Sequence, residues 1–297
     1  MLTVDSNSNS PTLTHVIPRG NWVGGVTSLG DDVFVVREKG QQIEVYDAKT
    51  FTLQRYIAVP CLGVSPFGLV ACPYNNCLYA SDRDNSGQRS MYCVHRVDLR
   101  GINAVMKWLM ADCPAGLSVN SAHNLLVVSA LRRGTRQMCK LQIFTTDGTL
   151  LEDIQLQADI ERPCHAVQLS TGQFLVSHSG YFYRVSLVGA DGAVVRSYGG
   201  QKGSQLMQMN NPAGLAVDRE GRVLVADCSN NRLLVIDLSL SSAHEMSVCV
   251  HGGLKGPHAL WYDQSHRRLY IGEQHQQGGR VIIIDSLKDF SCTCTTI

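Results

Sequence analysis

The segment Asn211–Leu238, NPAGLAVDREGRVLVADCSNNRLLVIDL, decides the fold of this chain. It contains three short apolar runs, Gly214–Val217, Val223–Ala226 and Leu233–Leu238. Residues that favour turns separate the runs, so we expect three consecutive antiparallel strands. The middle run is continuously aliphatic, which is typical of a strand buried on both faces. A sheet of this size cannot cover its own faces, so it must stack against copies of itself.

Degraded copies of this segment recur along the whole chain. Five of the copies begin with a proline, at Pro66, Pro114, Pro163, Pro212 and Pro257. The prolines recur at intervals of 45–49 residues, and an earlier copy without one contains Gly24, 44 residues before Gly68. Helical repeats of that length would show 3.6-residue patterning, which is absent. The period and the strand pattern therefore predict an all-β, six-bladed β-propeller of about 24 strands.

We expect four antiparallel strands in each blade and one propeller over residues 13–297, after a flexible tail at residues 1–12. The blades are predicted at residues 21–60, 61–112, 113–160, 161–210, 211–254 and 255–290. The sixth blade has only three strands of its own. Residues 13–17 are predicted to close the ring as its outer strand, because closure removes exposed sheet edges. A competing closure would use Phe290–Ile297 instead.

Pro212–Leu238 resembles an NHL repeat, through Pro-x-Gly-Leu-Ala-Val-Asp, Val-Leu-Val-Ala-Asp, Asn-Asn-Arg and a final aliphatic strand. The resemblance is partial at Pro66–Val97 and weaker in the other blades. It implies the fold of the NHL domains of tripartite-motif proteins, some of which bind single-stranded RNA on one face. The chain is also similar to NHL-like lyases that cut peptidyl-hydroxyglycine with channel metals held by histidines after proline. Here only His258 directly follows a proline.

The composition is that of an ordinary soluble globular protein. The chain has 297 residues, of which 44% are hydrophobic, and its net charge of +1 gives no global attraction to nucleic acid or acidic membranes. Its eleven cysteines lack metal-like CxxC spacing and lie beside apolar runs, so we expect buried free thiols. No apolar run approaches the ~18–20 residues of a membrane span, and the polar N-terminus has no signal-peptide core. We therefore expect a cytoplasmic protein without a membrane partner.

Two sets of residues are expected to meet at one mouth of the central channel. One set follows the recurring prolines, and the other ends the second strand of each blade. The metal-ligand candidates among them are Glu38, Asp82, His165, His178, Asp227, His258 and Glu273. Carboxylates suit Ca²⁺ and imidazoles suit Zn²⁺, so a channel metal is one hypothesis. The simpler interpretation is structural, because a carboxylate after a strand accepts backbone N–H bonds in the next loop, and then no cofactor is expected.

Basic and aromatic side chains in the same loops indicate a binding face. The candidates are Trp22, Phe67, Arg83, Arg132, Arg133, Arg136 and Arg232. The chain has no nucleophile motif and no phosphate-cradling loop, so no catalytic residue is predicted. We expect a non-enzymatic scaffold that binds a protein or peptide, since rim loops can vary without disturbing the core. The alternatives are single-stranded RNA binding, which arginines favour, and a metal-dependent lyase or hydrolase at the channel mouth.

Overall fold

The predicted all-β, six-bladed propeller is confirmed, with six separate sheets and antiparallel blades. The computed structural model describes residues 12–60, 62, 66, 68–84, 91–101, 104–133, 136–275 and 278–285. Among these residues the single helical segment is a short 3₁₀ turn at Cys228–Asn230. No helix in the described part of the chain is long and apolar enough to cross a membrane.

Each blade is numbered from its innermost strand outwards, apart from the strand that closes the ring. Blade one contains β2 Val23–Leu29, β3 Asp32–Arg37, β4 Gln42–Asp47 and β5 Leu53–Ala58, and blade two contains β6 Gly68–Cys72, β7 Cys77–Asp84, β8 Met91–Asp98 and β9 Val105–Met110. Blade three contains β10 Cys113–Val119, β11 Leu125–Arg133, β12 Arg136–Phe144 and β13 Leu150–Gln155. Blade four contains β14 Pro163–Gln168, β15 Phe174–His178, β16 Tyr183–Val188, β17 Val194–Lys202 and β18 Gln208–Met209.

The last two blades complete the ring. Blade five contains β19 Pro212–Val217, β20 Val223–Asp227, β21 Arg232–Ile236 and β22 Ala243–Met246, and blade six contains β23 Pro257–Asp263, β24 Arg268–Glu273, β25 Gly279–Asp285 and β1 Thr12–Gly20. The N-terminal strand β1 pairs antiparallel with β25 as the outer strand of blade six, which confirms the predicted closure. The competing segment Phe290–Ile297 lies outside the described residues, as do residues 1–11 of the tail predicted at residues 1–12.

The core lies between neighbouring blades. One apolar cluster joins Ala226 and Leu233 of blade five to Tyr262, Ile271 and Ile282 of blade six. Five further clusters are packed around the ring in the same way. The second strands β15 and β20 are buried along their whole length, whereas outer strands such as β13 are largely exposed. This gradient explains why the second strands read as continuous apolar runs in the sequence.

Blade four departs from the expected pattern at its outer edge. The sequence indicates a polar connection over Gly199–Met209, yet β17 extends to Lys202 and pairs in parallel with β18. The side chain of Met209 is fully buried, and the amide of Gly203 donates to the carbonyl oxygen of Met209 at 3.0 Å. Burial of one apolar residue thus folds the connection back onto its own blade.

The innermost strands approach one another so closely that four of the six carry glycine at one position. Five of the six carry a register shift directly after the position of the recurring proline. Two residues after the position of the recurring proline, the six strands carry Gly25, Gly68, Gly116, His165, Gly214 and Ala259. A Cβ atom on any of the four glycines would lie against the neighbouring blade. A Cβ atom added to Gly214 would lie 2.5 Å from the His258 carbonyl oxygen and 2.8 Å from the Leu260 amide nitrogen. Both obstacles are backbone, so neither can move alone.

We expect Gly214→Ala to lower the free energy of unfolding by about 1–3 kcal/mol, because the blades must separate to admit the methyl group. The matched control is Gly189→Ala in an outer turn, where the nearest obstacle is the mobile carboxylate of Asp191 at 2.7 Å. That change should stay within about 0.5 kcal/mol of the wild type. Urea unfolding followed by circular dichroism measures both, and equal stability of the two variants would contradict the close-packing argument.

Candidate functional site

The six innermost strands enclose a narrow channel with a cavity at each end. At the centre lies a space of 40 Å³, here called the channel cavity, with room for only a few waters. A cavity of 370 Å³ at the proline ends of the strands, the mouth cavity, shares Cys164 and His258 with it. A cavity of 430 Å³ at the opposite ends shares His165 with it. The polar side chains on the axis are therefore Cys164, His165 and His258.

His165 occupies the position that is glycine in four other blades. From blade four, its ring contacts both blade three and blade five. One ring nitrogen, Nε2, lies 2.9 Å from the carbonyl oxygen of Leu117, and the amide of Leu215 donates to Nδ1 at 3.3 Å. A carbonyl can only accept and an amide N–H can only donate, so the ring is neutral with its proton on Nε2. Burial also lowers the pKa of His165. Both ring nitrogens of His165 are hydrogen-bonded to backbone groups, so neither is available for a metal.

His258 lies one residue after its proline and is bonded differently. It is half-buried, and its Nδ1 is buried with no hydrogen-bond partner among the described residues. Burial, followed by the nearby His165, lowers the pKa of His258 to about 4. The imidazole is therefore neutral at physiological pH and retains a free acceptor nitrogen.

Cys164 is a neutral thiol. Burial, followed by the charge of Cys228, raises its pKa to about 12. The thiol lies 3.6 Å from the carbonyl oxygen of Arg162, to which it donates. A thiolate is the nucleophilic form of cysteine, so Cys164 is not activated for covalent catalysis.

The mouth cavity places charges of both signs around His258. Its wall includes Trp22, Glu38, Arg162 and Gln274. The indole Nε1 of Trp22 donates to the carbonyl oxygen of His275 at 2.6 Å, which fixes the ring across the opening. Arg162 is exposed with a φ of 41°, and Glu38 is half-buried. The cavity thus joins a neutral base, a carboxylate, a guanidinium and an aromatic wall.

A buried polar group on the second strand is repeated from blade to blade, and in five blades it lies opposite the position of the recurring proline. In each, that residue contacts the third strand of its own blade. The contacts are Arg37–Glu44, Ser129–Gln142, His178–Ser186, Asp227–Arg232 and Glu273–Arg280, with a group of Asp82, Cys93 and His95 in blade two. The blade-one residue is Arg37 rather than the predicted Glu38, because Val23 pairs with Arg37 before the register shift.

The metal-ligand candidates are therefore distributed over separate blades. Asp227 and Glu273 form buried ion pairs with Arg232 and Arg280, at 2.8 and 2.6 Å. His178 bonds to Ser186 at 2.9 Å, and burial lowers its pKa to about 4. Within the described residues, one group of three or more His, Cys, Asp or Glu side chains has metal-like spacing, and it contains only Asp82 of the seven candidates. The channel residues do not fit a channel metal.

The binding-face candidates divide into two groups. Trp22 is 38% exposed at the mouth cavity. The Arg232 side chain is only 12% exposed, and it also donates to the carbonyl oxygens of Ser204 and Gln208. The positive charge of Arg232 is therefore paired with Asp227 inside blade five. Phe67 and the side chains of Arg83, Arg132, Arg133 and Arg136 lie outside the described part of the structure.

Sequence comparison identifies the repeat. Residues 209–236 match the family model of the NHL repeat, and these are the residues of β18 to β21. The chain is therefore a six-bladed propeller in which one blade contains a matched NHL repeat. No curated protein matches it in sequence.

Solved structures share the whole fold at low identity. The PQQ-bound form of aldose sugar dehydrogenase from Streptomyces coelicolor has a TM-score of 0.68 and 15% identity, over 93% of this chain and 98% of that one. A protein provisionally assigned as a gluconolactonase has a TM-score of 0.64 and 14% identity, over 90% of each chain. Virginiamycin B lyase from Staphylococcus aureus has a TM-score of 0.58 and 10% identity, over 95% of this chain and 97% of that one.

These comparisons overturn the expectation of a non-enzymatic scaffold. The three propellers named above are described as a dehydrogenase, a provisionally assigned lactonase and a lyase, which are classes of enzyme. The prediction that this chain is not an enzyme was therefore wrong. The earlier inference relied on missing sequence motifs, and propeller sites are assembled from several blades, where no contiguous motif is required.

The buried pairs should be essential for stability. We expect Asp227→Asn to lower the free energy of unfolding by about 3–5 kcal/mol, because it leaves the buried Arg232 guanidinium with only the exposed Glu245 carboxylate, at 3.6 Å, as a charge partner. Both oxygens of the Asp227 carboxylate accept hydrogen bonds, Oδ1 from the Asn210 amide at 2.7 Å and Oδ2 from Arg232 and Asn230. The side chain of Asn has only one acceptor oxygen, so it cannot replace both.

The control is Asp153→Asn, which removes an exposed ion pair with Lys140 at 2.7 Å. It should reduce the free energy of unfolding by at most about 1 kcal/mol. Urea denaturation of the three proteins is the measurement. Similar losses in the two variants would show that the blade-five pair has no special structural role.

Proposed function

We propose that this protein is a lyase or hydrolase that cleaves a carbon–oxygen ester bond in the mouth cavity, with His258 as general base. The observation that carries the proposal is the neutral His258 imidazole beside this cavity, with its Nδ1 unbonded among the described residues. Buried polar groups without partners are rare in folded proteins, so such an atom favours a bound water or substrate as its partner. A neutral imidazole is the usual general base of enzymes.

The other side chains of the mouth cavity suit the same chemistry. In hydrolysis, His258 takes a proton from water as the oxygen attacks the ester carbonyl, and returns it to the leaving alcohol. In elimination, it takes a proton from the carbon next to the bond that breaks. Both routes develop negative charge on oxygen, which the guanidinium of Arg162 can stabilise. Trp22 offers an apolar surface on which a ring-shaped substrate can stack.

Two other mechanisms have weaker support at this site. A nucleophilic thiolate is disfavoured because burial raises the pKa of Cys164 to about 12. A channel metal is disfavoured because both nitrogens of His165 are bonded to backbone groups. The similar solved structures include a lyase and a provisionally assigned lactonase, which supports ester cleavage on this fold. One of them contains PQQ, so dehydrogenation is the competing reaction that an assay must test.

We expect His258→Gln to reduce turnover at least 100-fold, which lies within the usual contribution of a general base. The assay panel contains sugar lactones, streptogramin-type cyclic peptides, and aldoses with PQQ and an electron acceptor. His244→Gln is the matched control, because His244 is half-buried on β22 and burial lowers its pKa too. Full activity of His258→Gln, or turnover of aldoses alone and only with PQQ, would contradict the proposal.

The pH dependence offers a second check. The base is active when neutral, and the lowered pKa keeps it neutral until the pH falls towards about 4. We therefore expect kcat/KM to stay level between pH 8 and about 5.5 and to fall as the pH passes through about 4. An ordinary histidine would lose activity near pH 6.5.

Acid unfolding must be separated from this effect. The lowered pKa values of His178 and His258 mean that the unfolded chain binds protons more readily between pH 6.5 and 4. Stability therefore also decreases as the pH falls through this window. Circular dichroism at each pH identifies the range in which the protein is still folded. An acid limb near pH 6.5 in fully folded protein would exclude His258 as the base.

A further inference from the structure

The group of Asp82, Cys93 and His95 in blade two has the composition of a metal site. Asp82 lies on β7, and Cys93 is its direct register partner on β8. His95 lies two residues further along β8, on the same face of the sheet. All three side chains are fully buried. Their ligand atoms lie within 4.8 Å of one another. Thiolate, imidazole and carboxylate are the three side-chain ligands that zinc binds in proteins.

The distance between the Cys93 and His95 ligand atoms matches the tetrahedral coordination of a zinc ion. The Cys93 Sγ and the His95 Nε2 are 3.4 Å apart. Two ligands at the usual Zn–S and Zn–N distances of about 2.3 and 2.0 Å, separated by the tetrahedral angle, would be about 3.5 Å apart. The pair therefore needs almost no movement to bind one ion together.

In two other blades a cation lies beside the buried carboxylate of the second strand. In blades five and six the direct register partner of the buried carboxylate supplies a guanidinium, from Arg232 opposite Asp227 and from Arg280 beside Glu273. In blade two that register position is Cys93. A divalent zinc ion would be balanced by one carboxylate and one thiolate, which leaves the buried group neutral overall.

We propose that Asp82, Cys93 and His95 form a zinc site inside blade two, which stabilises the propeller as the ion pairs do in blades five and six. The site uses β7 and β8 rather than His258, so it is independent of the ester-cleavage proposal. No activity assay is needed to test it.

The first experiment is zinc loading of the full chain, followed by desalting and elemental analysis. We expect one zinc per chain and a zinc-edge X-ray absorption spectrum with a single sulfur ligand among nitrogen and oxygen ligands. We also expect a higher melting temperature with zinc than after chelation, because a ligand that binds only the folded state stabilises it. Folded wild-type protein without bound zinc, or with zero or several sulfur ligands, would overturn the assignment.

A matched pair of variants locates the site. Cys93→Ala should abolish stoichiometric zinc binding. Cys139→Ala should retain it, because Cys139 is also buried on the third strand of its blade but lies opposite Ala130. Zinc retained by folded Cys93→Ala, or lost from folded Cys139→Ala, would overturn the proposal. If Cys93→Ala does not fold, the single-sulfur spectrum of the wild-type protein still decides the question.

Discussion

The convergence of six innermost strands on one axis is the constraint on which the rest of the structure depends. A Cβ atom on Gly25 would lie 2.5 Å from the amide nitrogen of Leu69, and one on Gly116 would lie 2.4 Å from the carbonyl oxygen of Cys164. Backbone meets backbone at these points, so the channel is narrow and its few side chains are closely confined. His165 fits on the axis because its neighbour in blade three is Gly116, whose missing side chain leaves space for the imidazole. The same confinement lowers the pKa of both channel histidines.

The fold could be predicted from sequence because its determinants are local. Each blade repeats a proline, a small residue, an aliphatic second strand and a polar turn, and these recur at a readable period. The closing strand could be predicted too, because blade six lacked a fourth strand. The extension of β17 and its parallel pairing with β18 could not, since they depend on burial of one methionine in the core between blades four and five.

The site was only partly predictable, because its contacts cross between strands. The sequence placed His165 and His258 at the channel, but it could not show that one ring is fully bonded and the other is not. It selected Glu38, although the register shift in β2 puts Arg37 at the structural position. Cys93 and His95 were missed for the same reason, since their proximity to Asp82 depends on the pairing of β7 with β8.

The two channel histidines show how geometry separates structural from chemical roles when burial is similar. His165 donates to a carbonyl of blade three and accepts from an amide of blade five, so protonation of its Nδ1 would break a contact between blades. The Nδ1 of His258 makes no hydrogen bond within the described structure, so a proton added there breaks no protein hydrogen bond. The opposing cost is desolvation of the charged ring, which a substrate that brings negative charge into the mouth cavity would reduce. Base strength at His258 is therefore coupled to occupancy of the cavity, whereas His165 remains part of the frame that holds the cavity open.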